Sequence, residues 1–236
     1  MNIVAARTHR DRLVVATTHR GKLEELRALL TGLPLTVYGL GEILADPPVV
    51  VEDGATFAEN AIKKVRSVAR ASMMLSLADD SGLEVDALGG RPGVKSARFA
   101  HERATDAENN SALLSALDDA SQAERKGHVV TLRGGGEKAF RARFRCALAL
   151  LDPFTGGGEP RIVEGTCEGA IAQTPRGSGG FGYDPLFVLA QSDKTMAELS
   201  PDIKNRVSHR AQAFAALRPL LERVLEQRVA QVARLG

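Results

Sequence analysis

Apolar positions along the chain switch between short runs with strand spacing and longer stretches with helical spacing. Residues 13–17 (LVVAT) predict a buried strand, and Leu23, Leu26 and Leu30 follow at helical intervals. Residues 35–38 predict a second strand, and Pro47 and Pro48 mark residues 46–54 as a loop. Phe57, Ala61, Val65 and Val68 form one stripe on an amphipathic helix over residues 57–72. Residues 75–78 predict a strand that runs into a polar turn, ADDSG. Thr105 and Glu108 form a capping box that opens a helix to about Leu117.

Beyond that point the spacing becomes strand-like. Residues 140–151 and 161–171 alternate with period two and are separated by the turn DPFTGGGEP, a pattern expected of an antiparallel meander or hairpin. Residues 134–136, three glycines, suggest a hairpin tip, and a glycine-rich loop covers residues 177–183. Ser200 and Pro201 make a good helix start. A long final helix carries Phe214, Leu217, Leu221, Val224 and Leu225 on its apolar side. These elements predict an α/β fold: one domain over residues 1–236, with a long mixed central sheet, flanking helices and two lobes around a substrate cleft.

Composition narrows the class. At 236 residues with 44% apolar and 25% charged residues, the chain is long enough to bury a core and has ordinary globular balance. A net charge of +2 with scattered basic residues gives no case for nucleic-acid binding. No apolar run reaches membrane-span length and the N-terminus lacks a signal-peptide segment, so a cytoplasmic location and no membrane partner are expected. Cys146 and Cys167 lie in apolar or strand-like runs and read as buried thiols, without disulfide or zinc spacing.

Five clusters could carry chemistry. Thr17, Thr18, His19, Arg20, Gly21 and Lys22 lie at a strand-to-helix turn, where backbone N–H groups and the helix dipole favour an anion, although the spacing is not that of a Walker loop. An ordinary βα turn with solvated Arg20 and Lys22 is the alternative. Glu52 precedes the helix of residues 57–72, on which Lys64 shares the apolar stripe and Lys63 points away toward Glu59. A lysine on that stripe needs a partner or a cleft unless it snorkels past the core edge. Asp79 and Asp80, adjacent at a strand exit, repel each other unless a cation or donors offset them, which suits Mg²⁺; a turn capping the exit explains one aspartate better than two.

The fourth cluster, GSGGFGYDP, lets backbone approach a flat ligand, with Phe181 placed to stack on a base or, alternatively, to fill a core. The fifth joins Lys204 to Ser208, His209 and Arg210, either a ligand contact or a solvated helix face. On one straight helix Lys204 and His209 diverge by about 140°, so a shared ligand requires a kink or must lie across the helix.

Taken together, TTHRGK, EDGATFAENAIKK, ADDSGLEVDALGGRPGVKSAR, GGFGYDPLF and SHR resemble the motifs of the inosine/xanthosine triphosphate pyrophosphatase family. They run in family order from Thr17 to Arg210. The resemblance implies hydrolysis of ITP, dITP and XTP to the monophosphate and pyrophosphate, keeping them out of DNA and RNA, with Mg²⁺ as cofactor, a two-lobed α/β fold and a homodimer. It assigns Mg²⁺ to Glu52 and Asp80, catalysis to Asp80 with Asp79 orienting water, and the triphosphate to residues 17–22 and Lys64. Ser81 contacts substrate by the same resemblance. Phe181, Gly182, Tyr183 and Asp184 frame the nucleoside, and Lys204, His209 and Arg210 complete the base and phosphate pocket. Two departures stand out: His19 replaces the family asparagine, and His101 replaces a common glycine. Residues 133–137 look like an insertion in a hairpin.

The implied chemistry is attack of water on the α-phosphorus with loss of pyrophosphate, and donors at the 6-oxo edge would leave adenine with donor facing donor. A Maf-type pyrophosphatase for pyrimidine nucleotides is one rival, opposed by SHR and GGFGYDP. A catalytically silent nucleotide-binding module is the other, opposed by the intact set of Glu52, Lys64, Asp79 and Asp80.

Overall fold

A computed structural model describes residues 11–132 and 136–235. Among the described residues, seven strands form one mixed sheet, with β1 (Asp11–Val15), β2 (Leu35–Gly39), β3 (Leu75–Val85), β4 (Val129–Thr131), β5 (Lys138–Leu151), β6 (Arg161–Ile171) and β7 (Phe187–Leu189). The order is β2-β1-β3-β5-β6-β7, with β4 attached to β5. β1 pairs in parallel with both β2 and β3, whereas β4 on β5 and β7 on β6 are antiparallel. The mixed α/β fold with a long sheet and flanking helices is the one the sequence predicts.

The helices are α1 (Arg20–Leu29), α2 (Leu40–Ile43), α3 (Phe57–Ser72), α4 (Asp106–Asp119), α5 (Gln122–Arg125), α6 (Pro201–Val207) and α7 (His209–Leu235). Two ends are fixed by the predicted chemistry. Thr105 and Glu108 close the capping box of α4, and Pro201 occupies the first turn of α6. Helix α3 covers the predicted span, begins at Thr56, whose hydroxyl accepts from the Glu59 N–H, and buries Phe57, Ala61, Val65 and Val68.

Three expectations change. The first strand spans Asp11–Val15, which leaves Thr17 in the turn. The polar run ADDSG is strand rather than turn, because β3 continues to Val85 and its two aspartates find cationic partners within the fold. The C-terminal helical region is broken at Ser208, whose ψ of 158° is extended. That break removes the single straight helix on which Lys204 and His209 diverge. Elements α2, α5, β4 and β7 were too short to show a clear period in the sequence. Of the expected hairpin tip and insertion, residues 133–135 lie outside the described residues.

The chain forms two compact units. The first contains residues 1–80, 147–164 and 213–236. It buries Leu13, Val14 and Val15 of β1, Leu26 of α1, Leu75 and Leu77 of β3, and Leu217 and Leu221 of α7. Arg228 of α7 pairs with Asp11 and Asp152, each at 2.9 Å, tying the last helix to the start of β1 and the segment after β5. The second unit contains residues 81–146 and 165–212. Its core gathers Leu83, Leu113, Leu117, Phe144, Ile171 and Phe187.

Both cysteines are buried, as the sequence predicts. Burial, with the carboxylates of Glu168 and Asp184 adding to it, pushes the Cys167 thiol up to about 11. A thiol-disulfide reagent such as DTNB at neutral pH should therefore leave the native protein unlabelled for minutes and titrate both thiols once the chain is unfolded. Fast labelling of the native protein would contradict this packing.

Candidate active site

Helix α3 and strand β3 of the first unit build an alternating network of charge. Asp79 and Asp80 are 1% and 5% exposed, and as neighbours in a strand they project to opposite sides. Asp79 Oδ1 receives Lys22 Nζ at 2.7 Å. Asp80 Oδ1 receives Lys64 Nζ at 2.7 Å, and the same ammonium sits 2.8 Å from Glu52 Oε2 and 3.3 Å from the Asp79 carbonyl. Lys64 thus meets a buried carboxylate rather than snorkelling, and Lys63 turns outward to Asp53 instead of Glu59.

The electrostatics follow from burial and pairing. Burial works to lower the Lys64 ammonium, but the charges of Asp80 and Glu52 outweigh it and hold its pKa above that of ordinary lysine. Burial raises Asp80 above the ordinary aspartate value, with Lys64 and Lys22 pulling the other way. The oxygens of Glu52 and Asp80 converge on a single cationic centre, here the Lys64 ammonium. Among the described residues no three His, Cys, Asp or Glu side chains cluster as a complete metal cage. Two hard carboxylate donors nevertheless fit Mg²⁺, which is usually held by one or two carboxylates together with substrate phosphates and water.

The turn before α1 is ordered by its own side chains. His19 caps the helix, its Nδ1 accepting from the Lys22 N–H at 3.3 Å, and Thr17 Oγ1 accepts from the His19 N–H at 3.1 Å. An accepting Nδ1 places the proton of the neutral ring on Nε2, so histidine fills the capping role open to an asparagine. Arg20 sends its side chain to Glu24 on the exposed face of α1 and Lys22 reaches Asp79, while Thr18 lies in the loop before α1 and Gly21 in its first helical turn.

In the second unit, Phe181 carries two cations over its ring: Lys204 Nζ lies 4.6 Å and Arg210 Cζ 5.8 Å from its centre. Asp184 arranges this group. Its Oδ2 accepts from the Phe181 N–H at 2.9 Å and from Lys204 Nζ at 2.5 Å. Gly180, at φ 72°, has no side chain where that carboxylate lies. Arg210 donates to Ser81 Oγ at 3.1 Å. Gly182 is held from α4, its N–H donating to Asp106 Oδ2 at 2.6 Å and its carbonyl accepting from Asn110 Nδ2 at 3.0 Å.

Two residues expected to frame the ligand are buried, as Asp184 and Arg210 are. Tyr183 is buried and its hydroxyl donates to the Ser96 carbonyl at 2.9 Å; burial raises that hydroxyl above its ordinary pKa. His209 is buried with its ring stacked 4.8 Å from that of Phe144. His101, the other departure from the motifs, lies 3.5 Å from Glu108 on α4. Sequence reasoning missed Asn60, Ser96, Asp106 and Asn110. Asp106 lies inside the capping box, and Asn60 and Ser96 lie inside the quoted motifs, but their partners Gly182, Asp80 and Leu83 are distant in sequence.

These geometries meet a consistent set of relatives. The Ham1 family model matches residues 13–220. The chain belongs to the Ham1 family. It is 48% identical over 207 residues to the dITP/XTP pyrophosphatase of Geobacter sulfurreducens, covering 88% of this chain and 94% of that one. It is 45% identical to the dITP/XTP pyrophosphatase of Bacillus subtilis, covering 89% and 96%. A Ham1 protein structure from Coxiella burnetii superposes with a TM-score of 0.74 at 38% identity, covering 90% of this chain and 98% of that one. A nucleoside-triphosphatase/dITP/XTP pyrophosphatase structure from Mycobacterium abscessus gives 0.64 at 39% identity, covering 88% and 99%. The resemblance drawn from the motifs and the fold of this Ham1-family chain agree.

The Lys204–Asp184 pair yields a direct expectation. Replacing Lys204 with methionine strands a buried carboxylate, which should cost about 3–5 kcal/mol of stability in thermal or denaturant unfolding. An unchanged unfolding midpoint would show that Lys204 is a surface contact instead.

Proposed function

We propose that this Ham1-family protein is a nucleoside-triphosphate pyrophosphatase that hydrolyses deaminated purine nucleotides, ITP, dITP and XTP, to the monophosphate and pyrophosphate. The observation that carries the reading is the convergence of Glu52 and Asp80 on one cation, with Lys64 between them and Lys22 on the adjacent Asp79. The names carried by its relatives, dITP/XTP pyrophosphatase, point to the same chemistry.

Glu52 and Asp80 would hold Mg²⁺ and Lys64 would move its charge to the triphosphate. The bound ion supplies polarisation of phosphate oxygens. The residues of this chain do the rest. The turn of residues 17–22 offers backbone N–H groups at the N-terminus of α1 to the polyphosphate. Lys64 and Lys22 offset charge on the departing pyrophosphate. Water forms a bond to the α-phosphorus, the bond to the α–β bridging oxygen breaks, and the water proton passes to Asp80. Asp79 holds Lys22 and, beside Asp80, would help orient the attacking water.

Phe181 would stack on the base, and the guanidinium of Arg210 would donate to the 6-oxo group, with Ser81 orienting that guanidinium. Lys204, held by Asp184, keeps positive charge beside the same ring. Adenine presents a 6-amino donor at that edge and is rejected because donor meets donor. A cytoplasmic homodimer is proposed with this activity; no described helix is long and apolar enough to cross a membrane.

Pyrophosphate release from ITP should require Mg²⁺ and disappear with EDTA. Asp80→Asn should lower turnover roughly 10³-fold or more while leaving the circular dichroism spectrum intact. Near wild-type turnover in that variant would remove Asp80 from the mechanism. A competition panel of ITP, XTP, GTP and ATP should give kcat/KM for ITP at least about a hundredfold above ATP. Equal values would refute the 6-oxo reading, and preference for a pyrimidine nucleotide would favour the Maf-type rival. Nucleotide binding with no pyrophosphate released would favour the silent module.

A further inference from the structure

Asn60 lies on α3 one turn before Lys64, and its side chain is fully buried at 0% exposure. Both ends of its amide are engaged. Oδ1 accepts from the Gly54 N–H at 2.8 Å, and Nδ2 donates to Asp80 Oδ2 at 3.2 Å. Lys64 occupies the other carboxylate oxygen, Oδ1. Gly54 is two residues past Glu52, so one side chain grips the Asp80 carboxylate and the loop that carries Glu52.

The loop is stitched to α3 at two further points. The Ala55 N–H donates to Glu59 Oε2 at 2.8 Å, and Lys63 pairs with Asp53. Both of these contacts are exposed, where such pairs contribute little. The Asn60 contact is buried, and among these three it alone also touches Asp80. Its fit depends on glycine at position 54: a Cβ there would stand 2.6 Å from Asn60 Oδ1 and 2.9 Å from Glu59 Cβ. A well-formed amide bridge inside a desolvated network fixes both groups it holds.

We infer that Asn60 is a positioning residue that sets the separation and orientation of Glu52 and Asp80 for a divalent cation, with Gly54 as the seat that lets it do so. This rests on the reading of Glu52 and Asp80 as metal-holding carboxylates. Asn60 touches neither substrate nor metal; it aims the carboxylate that does, as partners of metal ligands commonly do.

The test measures Mn²⁺ binding to the full-length, nucleotide-free protein by electron paramagnetic resonance titration, beside kcat and KM for ITP at varied Mg²⁺. Asn60→Ala should weaken Mn²⁺ binding about ten- to hundredfold and raise by a similar factor the Mg²⁺ needed for half-maximal turnover. KM for ITP at saturating Mg²⁺ should stay within about twofold of wild type, a split that general loosening of the fold does not produce. Gly54→Ala retains Asn60 but displaces its amide, so it should give the same metal phenotype, and it provides the readout if Asn60→Ala fails to fold. In the Asn60→Ala background the added methyl at position 54 no longer meets an amide and keeps only its close contact with Glu59 Cβ at 2.9 Å, so the double variant should lose less metal affinity than the two single losses combined.

Mn²⁺ affinity within about twofold of wild type in either folded single variant overturns the inference. Fully additive losses in the double variant overturn it too, as does a wild-type protein that binds no Mn²⁺. A wild-type protein that binds Mn²⁺ but releases no pyrophosphate from ITP overturns the pyrophosphatase reading instead, leaving the positioning role standing on the binding data.

Discussion

Two adjacent carboxylates inside a strand are the constraint around which the first unit is organised. Asp79 and Asp80 are almost wholly removed from water, and unpaired charges there would be prohibitive. The strand resolves this by alternation: successive side chains leave on opposite sides, so each aspartate meets its own lysine, Lys22 from α1 and Lys64 from α3. Both lysines stand in helices whose apolar faces are packed, which fixes where their ammonium groups lie. Local structure, packing and electrostatics therefore serve one arrangement, a pair of buried carboxylates whose charge is offset by two lysines.

The second unit solves a similar problem with different parts. Asp184 is buried in a glycine-rich segment and satisfies itself with one backbone N–H and one ammonium. In doing so it fixes Phe181 and Lys204 against each other, and the extended residue Ser208 restarts the chain as α7, on which Arg210 reaches Ser81. Tyr183 and His209, from the same two motifs, are packed into the core and support this arrangement from behind. A motif thus mixes residues proposed to meet a ligand with residues packed behind them.

Much of this was legible in the sequence, and the exceptions share a cause. The span of α3, the capping box of α4 and the burial of both cysteines follow from local spacing. Lys64 was identifiable as anomalous because it falls on an apolar stripe. The polar run ADDSG was misread as a turn because local pattern cannot see partners that arrive from α1 and α3. Asn60 looked like an ordinary helical residue, since its value lies in contacts with Gly54 and Asp80. The role of His19 as a cap also needed backbone geometry, because a histidine does not advertise which nitrogen accepts. What sequence reasoning lost was long-range pairing between polar groups, which has no period.

The central claim is that the Lys64 ammonium lies where a metal ion would bind between Glu52 and Asp80, and that metal and nucleotide together displace it onto a phosphate. A crystal structure with Mg²⁺ and a non-hydrolysable ITP analogue tests it most directly. The account predicts oxygens of both carboxylates within about 2.1 Å of the ion and the Lys64 ammonium moved onto a phosphate oxygen. Lys64 still lodged between the two carboxylates, with the ion bound elsewhere, would contradict it.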